Sequence, residues 1–256
     1  MGQLIIDLIP ALRDNYIYAL HDAQNRVAAV IDPAEAQPVI DWLYSKNLTL
    51  THVLNTHHHP DHVGGNLSLK SKTGCLIVGA VFDKDRIPGI DLFLEDNDSY
   101  DFDGHRATVL FIPGHTRGHI AYWFSQDQAL FCGDTLFACG CGRLFEGTPT
   151  QMWSSLKRLR SLPGDTHVYC GHEYTEANIR FAETLDPKNP LLIQRRDRVQ
   201  KLRTAGEPSL PSLLEEEKVT NPFLRCDDLE FATSLGLETK TPEEIFAEIR
   251  YRKDYF

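Results

Sequence analysis

The stretch that most constrains this chain is Thr56-His57-His58-His59-Pro60-Asp61-His62, which sets four of the chain's eleven histidines beside one carboxylate. The residues before it, Thr51-His52-Val53-Leu54-Asn55, read as a short buried strand. Side chains on extended chain alternate sides, so His57 and His59 are expected to point one way and His58 the other. After Pro60 the chain is expected to turn into a helix that Gly64 and Gly65 allow to pass close by, placing Asp61 and His62 beside a second spot. Neutral imidazole with carboxylate is the donor set of zinc, iron or manganese, and the lack of cysteine here argues against a closed structural zinc site. A solvated, histidine-rich loop is the blander reading. It would need neither the strand before the motif nor the glycine pair after it.

A chain of 256 residues that is 42% hydrophobic can bury a sizeable core in one large domain or two smaller ones. No apolar run approaches the ~18 residues of a membrane span, and the N-terminus lacks a signal-peptide pattern. The expectation is a cytoplasmic protein with no membrane partner. A formal charge of −10 disfavours nucleic acid. The six cysteines (Cys75, Cys132, Cys139, Cys141, Cys170, Cys226) show no paired zinc-ribbon spacing, so they are read as buried free thiols in a reducing compartment.

Around the histidine run, short strands are expected at Leu4 to Ile6, Tyr16 to Leu20 and Arg26 to Ile31, followed by an amphipathic helix from Pro38 to Lys46. Asp32, at a strand end, reads equally well as a turn former or as an acceptor holding a metal-bound histidine. Asp83 to Gly104 is acidic and turn-rich, a loop with a short strand or two. Three further strands end in chemistry: Thr108 to Ile112 runs into Pro113-Gly114-His115-Thr116-Arg117-Gly118-His119, Ala129 to Cys132 into Gly133-Asp134, and Thr166 to Cys170 into Gly171-His172. Either His115 or His119 could be a ligand, the other orienting its neighbours. Strands alternating with helices make an α/β architecture with the site at one edge of the sheets. From Thr175 onward the pattern turns helical. Asn189-Pro190 caps one helix and Thr241-Pro242-Glu243-Glu244 is a capping box that opens the last, as Thr148-Pro149-Thr150-Gln151 is earlier.

With His57-x-His59-x-Asp61-His62, His115, Asp134 and His172 in this order, the chain resembles the metallo-β-lactamase superfamily. Further stretches, among them Cys132-Gly133-Asp134-Thr135-Leu136-Phe137, Gly140-Cys141-Gly142-Arg143, Gly171-His172-Glu173-Tyr174-Thr175 and Arg250-x-x-Lys253-Asp254, resemble the glyoxalase II (hydroxyacylglutathione hydrolase) family. The resemblance implies an αββα sandwich with a C-terminal all-helical domain: residues 1–173 catalytic, 174–256 helical and substrate-binding. It implies two divalent ions, zinc first with iron or manganese as alternatives. His57, His59 and His115 would hold one ion and Asp61, His62 and His172 the other, with Asp134 bridging. His59, Asp61 and Asp134 would sit at the reaction centre, and Arg143, Tyr174, Arg250 and Lys253 would bind glutathione. Where the family form carries Lys and Tyr, this chain has Arg143 and Phe145; the first keeps a charge, the second lacks a hydroxyl.

The implied reaction is hydrolysis of S-D-lactoylglutathione, or another 2-hydroxyacylglutathione, to the hydroxy acid and glutathione, closing methylglyoxal detoxification in a single-chain enzyme. A hydroxide bridging the two ions would attack the thioester carbonyl, with Asp61 a ligand rather than a general base. A thiolate with a free pKa of about 8.5 leaves without a strong acid. Accordingly the chain shows no Gly-x-Ser-x-Gly elbow. The alternatives are an iron dioxygenase acting on glutathione persulfide, which keeps fewer of these ligands, a nuclease, which the acidic balance disfavours, and a non-catalytic metal protein.

Overall fold

The structure is a computed structural model that describes residues 2–22 and 24–256. It divides into two compact units, Met1–Phe111 with Gly118–Gly133 and Ile112–Arg117 with Asp134–Phe256.

The first unit contains β1 (Leu4–Ala11), β2 (Asn15–Asp22), β3 (Val27–Ile31), α1 (Ala36–Lys46), β4 (Thr49–Leu54), α2 (Pro60–Val63), α3 (Asn66–Thr73), β5 (Leu76–Ala80), β6 (Leu92–Leu94), β7 (Ser99–Phe102), β8 (His105–Phe111), β9 (Ile120–Phe124) and β10 (Ala129–Gly133). One sheet runs β1-β2-β3-β4-β5-β6, antiparallel through the first three strands and parallel from β3 to β6. The switch follows from the connections: tight turns join β1, β2 and β3, whereas parallel neighbours need a crossover, which α1 and α3 supply. Alternation along the strands separates two faces. Ile17, Ala19, Ala28, Val30, Val53 and Ile77 form one core with Val39 and Leu43 of α1 and Leu69 of α3. From the opposite face Tyr18 meets Phe131 of β10 at 5.6 Å between ring centroids. Phe131 belongs to a second layer, β10-β9-β8-β7, antiparallel throughout. Across the same gap the Tyr122 hydroxyl donates to the Asn55 carbonyl at 3.0 Å, at the root of the histidine run. Burial raises the Tyr122 phenol well above its usual range, so it remains a donor.

Most strands stand where the apolar runs place them. Two elements carry no readable signal. Strand β9, Ile-Ala-Tyr-Trp-Phe, has no polar alternation because nearly every residue is buried. The helix Leu214–Thr220 opens Leu-Glu-Glu-Glu and is too short to show an amphipathic period.

The second unit contains β11 (Leu136–Phe137), β12 (Gly140–Cys141), α4 (Pro149–Arg160), β13 (His167–Cys170), α5 (Thr175–Leu185), α6 (Pro190–Thr204), β14 (Ser212–Leu213), α7 (Leu214–Thr220), α8 (Leu229–Ser234) and α9 (Pro242–Asp254). Both capping boxes form: Thr148 accepts from Gln151 N–H and Thr241 from Glu244 N–H, each with the reciprocal bond back and proline in the first turn. Asn189 caps α6 and Asp228 caps α8. The tail is helical except for β14, two residues that pair antiparallel with β13. Phe223 packs between Phe181 of α5 and Phe246 of α9, at 6.1 and 5.8 Å. All six cysteines are buried free thiols. Among the described residues no helix is long and apolar enough to cross a membrane.

Candidate metal centre

In the first unit, β4 delivers the chain into the histidine run, and the rings of His57 and His59 lie 4.7 Å apart. His59 is the N-cap residue of the single-turn helix α2, and its carbonyl accepts from His62 and Val63 N–H. This turn brings the His62 ring within 4.1 Å of His57 and its Nε2 within 3.7 Å of Asp61 Oδ2. Gly64 is required for that path, because a Cβ there would stand 2.5 Å from the Ala34 carbonyl oxygen.

Asp32 decides which ring nitrogens face the centre. Its backbone is left-handed, at φ +50, and its side chain accepts from Thr56 N–H at 2.8 Å, Thr56 Oγ1 at 2.6 Å and His62 Nδ1 at 3.0 Å. With its proton given to Asp32, the Thr56 hydroxyl accepts from His57 Nδ1 at 3.0 Å. Both imidazoles therefore carry their proton on Nδ1 and present Nε2 lone pairs, the tautomer a metal ligand needs. Asp32 is both a turn residue and an orienting acceptor. The sequence weighed these as alternatives.

Two more residues hold the half-site. Asn15 Nδ2 donates to the Asp61 carbonyl and to Asp61 Oδ2, both at 3.1 Å. His119 stacks on His57 with centroids 4.6 Å apart and planes 16° apart, its Nδ1 donating to the Ile120 carbonyl at 3.0 Å. Of the two histidines left open after β8, His119 is thus the one that packs on His57. Sequence reasoning had no route to Asn15 as a positioning residue, since Arg13-Asp14-Asn15 reads as a turn.

In the second unit His115, Asp134 and His172 are buried together. Asp134 Oδ2 lies 3.5 Å from His115 Nε2 and 3.3 Å from His172 Nε2. His115 Nδ1 donates to the Arg143 carbonyl at 2.9 Å, so its Nε2 turns a lone pair toward the carboxylate. Two lone pairs in opposition fit a cation placed between them. Tyr174 stacks on His172, centroids 4.7 Å and planes 3° apart, and Phe145 sets its ring edge-on to His115 at 5.2 Å.

A pocket of about 410 Å³ opens from this group, and its walls include His115, Asp134, Arg143, Tyr174, Arg250 and Lys253. All four expected substrate residues thus line one cavity that also holds two expected ligands. The cations are not equivalent. Arg143 is exposed, its Nε 3.9 Å from Asp254. Arg250 is buried, donating to the Cys141 carbonyl at 2.9 Å and pairing with Asp254 at 3.0 Å. It therefore braces the pocket wall as well as charging it. Lys253 donates to the Ala177 carbonyl at 3.0 Å, and burial, reinforced by Arg250 and Arg180, lowers its ammonium to about 8. Arg252 faces away and pairs with Glu248 at 2.9 Å.

Comparison with known proteins agrees with this donor chemistry. The metallo-β-lactamase superfamily profile matches residues 17–172, and the profile of the hydroxyacylglutathione hydrolase C-terminus matches residues 173–256. The hydroxyacylglutathione hydrolase of Methylococcus capsulatus is 55% identical over 248 residues, 97% of each chain. That of Rhodospirillum rubrum is 50% identical over the full length of both. The chain belongs to the hydroxyacylglutathione hydrolase family. Members of this family have the metallo-β-lactamase fold, and the crystal structure of ETHE1 from Myxococcus xanthus superimposes with a TM-score of 0.69 at 26% identity, covering 96% of this chain and 89% of that one. Half-identity along the whole chain places it with the thioester hydrolases, and the dioxygenase reading is not favoured. The superfamily and the His/Asp clusters indicate divalent-metal binding.

Proposed function

We propose that this chain hydrolyses S-D-lactoylglutathione and related 2-hydroxyacylglutathiones to the hydroxy acid and glutathione. The observation that carries the substrate is the pocket, whose wall includes both the cations Arg143 and Lys253 and the group His115 with Asp134. A ligand that combines carboxylates with a reactive carbonyl suits that chemistry. Residues 1–173 form the catalytic part and 174–256 the substrate-binding part.

In this reading His57, His59 and His115 would hold one divalent ion, Asp61, His62 and His172 would hold a second, and Asp134 would serve both sets. Zinc suits the nitrogen-rich donor set best, with iron or manganese acceptable. When bound, the ions would bring the pKa of a water molecule down to about 7, supplying the nucleophile, and would polarise the carbonyl. The protein's own part is orientation. Asp32 and Thr56 fix the tautomers of His62 and His57, the Arg143 carbonyl fixes that of His115, and Tyr174 holds the plane of His172. Arg143 and Lys253 bind the glutathionyl carboxylates, and the thiolate leaves unassisted by a strong acid. All these groups come from one chain, which accords with a monomer. Six buried free thiols accord with the cytoplasm.

The direct test is thiol release from S-D-lactoylglutathione by chelator-stripped protein titrated with zinc. Activity should return as occupancy rises to two ions per chain. Saturation at one ion, or metal binding without turnover, would refute the proposal.

A second expectation concerns pH. Lys253 carries its charge below about 8, so kcat/KM for a glutathione thioester should fall as pH rises through that value, by about 10-fold for a lost charge-assisted hydrogen bond. Stability should move the other way: between about 8 and the ordinary lysine value of 10.5 the unfolded chain holds a proton that the native one has released, so stability rises with pH. Lys253→Gln should remove this limb of the kcat/KM profile. An unchanged alkaline limb in that variant would show that another group titrates.

A further inference from the structure

His58 is the member of the histidine run that the proposed ligand set leaves unused, and both of its ring nitrogens have partners. Its ring packs on that of His59 at 5.0 Å. Nδ1 lies 3.3 Å from Asp83 Oδ2, and Nε2 lies 3.3 Å from a terminal nitrogen of Arg86. A guanidinium only donates, so Nε2 accepts and Nδ1 carries the proton that goes to Asp83.

Asp83 itself is fully buried, and its other oxygen accepts from Arg86 Nε at 3.1 Å and from Arg86 Nη2 at 2.5 Å. Its carbonyl accepts from the N–H groups of Arg86 and Ile87, at 2.8 and 2.9 Å, which locks the turn after β5. The same carboxylate lies against Gly118, where any Cβ would overlap it. The residue after Gly118 is His119, whose ring stacks on His57. One buried carboxylate thus touches both segments that set the His57 and His59 rings.

We infer that Asp83, neutralised by Arg86, positions the metal-binding histidines by anchoring His58, the residue between His57 and His59. The inference deepens the ligand assignment proposed above and rests on it. His58 is bonded in sequence to both proposed ligands, so fixing its ring through Asp83 and Arg86 restrains the backbone that carries His57 on one side and His59 on the other. Asp83, Arg86 and His58 are positioning residues and touch no substrate.

The experiment is zinc competition with a chromophoric chelator, using the metal-free full chain as wild type, His58→Ala, Asp83→Asn and the double variant. Loss of an orienting partner costs metal affinity about 10- to 100-fold, and an anchor one residue removed from the ligands belongs at the lower end, about 10-fold for each single variant. Because both substitutions cut one linkage, the double variant should also lose about 10-fold, and the melting temperature of metal-free His58→Ala should match wild type. Wild-type zinc affinity in His58→Ala would overturn the inference, and so would a double variant losing about 100-fold, since Asp83 would then act on the fold and not through His58. If Asp83→Asn does not fold, His58→Ala alone decides. A wild type that holds no zinc stoichiometrically would instead remove the ligand assignment on which the inference stands.

Discussion

Replacing Asp134 with alanine should lower thioester turnover by about 1,000-fold while leaving the fold in place, a loss on the scale of removing one preorganised electrostatic stabiliser. The reason lies in the Oδ2 position, 3.3 Å from His172 Nε2 and 3.5 Å from His115 Nε2. These two histidines are proposed to serve different ions, so the carboxylate is the group that joins the two ligand sets. Without it the metal content should drop below two per chain. Stability of the metal-free protein should change little, because the variant removes a buried carboxylate facing imidazole lone pairs. Circular dichroism, elemental analysis and thiol release measured on one preparation check all three. A folded Asp134→Ala protein with wild-type turnover would show that the bridge is misassigned.

The largest effect on stability is expected at a buried ion pair outside the proposed ligand set. Arg195 and Glu217 form an ion pair almost wholly removed from solvent, and the arginine also donates to Thr220 Oγ1 at 2.7 Å. The second Glu217 oxygen accepts from Cys139 N–H at 2.8 Å and Asn221 Nδ2 at 3.1 Å, and Asn221 in turn donates to the carbonyls of Phe137 and Gly140, at 3.1 and 2.9 Å. Glu217→Ala should therefore cost about 3–5 kcal/mol in denaturant unfolding, since it leaves the buried guanidinium only the longer pairing with Glu216 at 3.4 Å and takes the acceptor from Cys139 N–H and Asn221. Replacing the pair together, as Arg195→Met with Glu217→Leu, should recover much of that loss. If Glu217→Ala unfolds within 1 kcal/mol of wild type, the cluster does not hold the segment 137–141 in place.

The sequence carried the fold where periodicity and caps are local. The helices opening at Pro149, Pro190 and Pro242 begin at residues whose capping side chains are visible one position upstream. It carried much of the candidate site too, because His57, His59, Asp61 and His62 sit in one run and the other ligands end strands. What it could not carry is contact between distant residues. Arg250 read as a substrate cation; its bond to the Cys141 carbonyl, 109 residues away, makes it part of the wall as well. Asp32 is legible as a turn residue or as an acceptor for a metal-bound histidine, but its particular partners Thr56 and His62 are not, nor is Asp83 beneath His58. These partnerships depend on the backbone path that brings separate segments together.

The close passage of Gly64 bears on how this protein tolerates change. Gly64 has helical dihedrals, φ −60 and ψ −29, so an engineer ranking positions by helix propensity would choose Gly-to-Ala there for a gain of about 1 kcal/mol. The backbone would accept alanine and the space would not, because the Ala34 carbonyl oxygen occupies the place the methyl needs, 2.5 Å away. Relief would have to come from shifting the turn that carries Asp61 and His62. A ranking by propensity alone would therefore misjudge a position whose missing side chain is what lets the ligand-bearing turn pass.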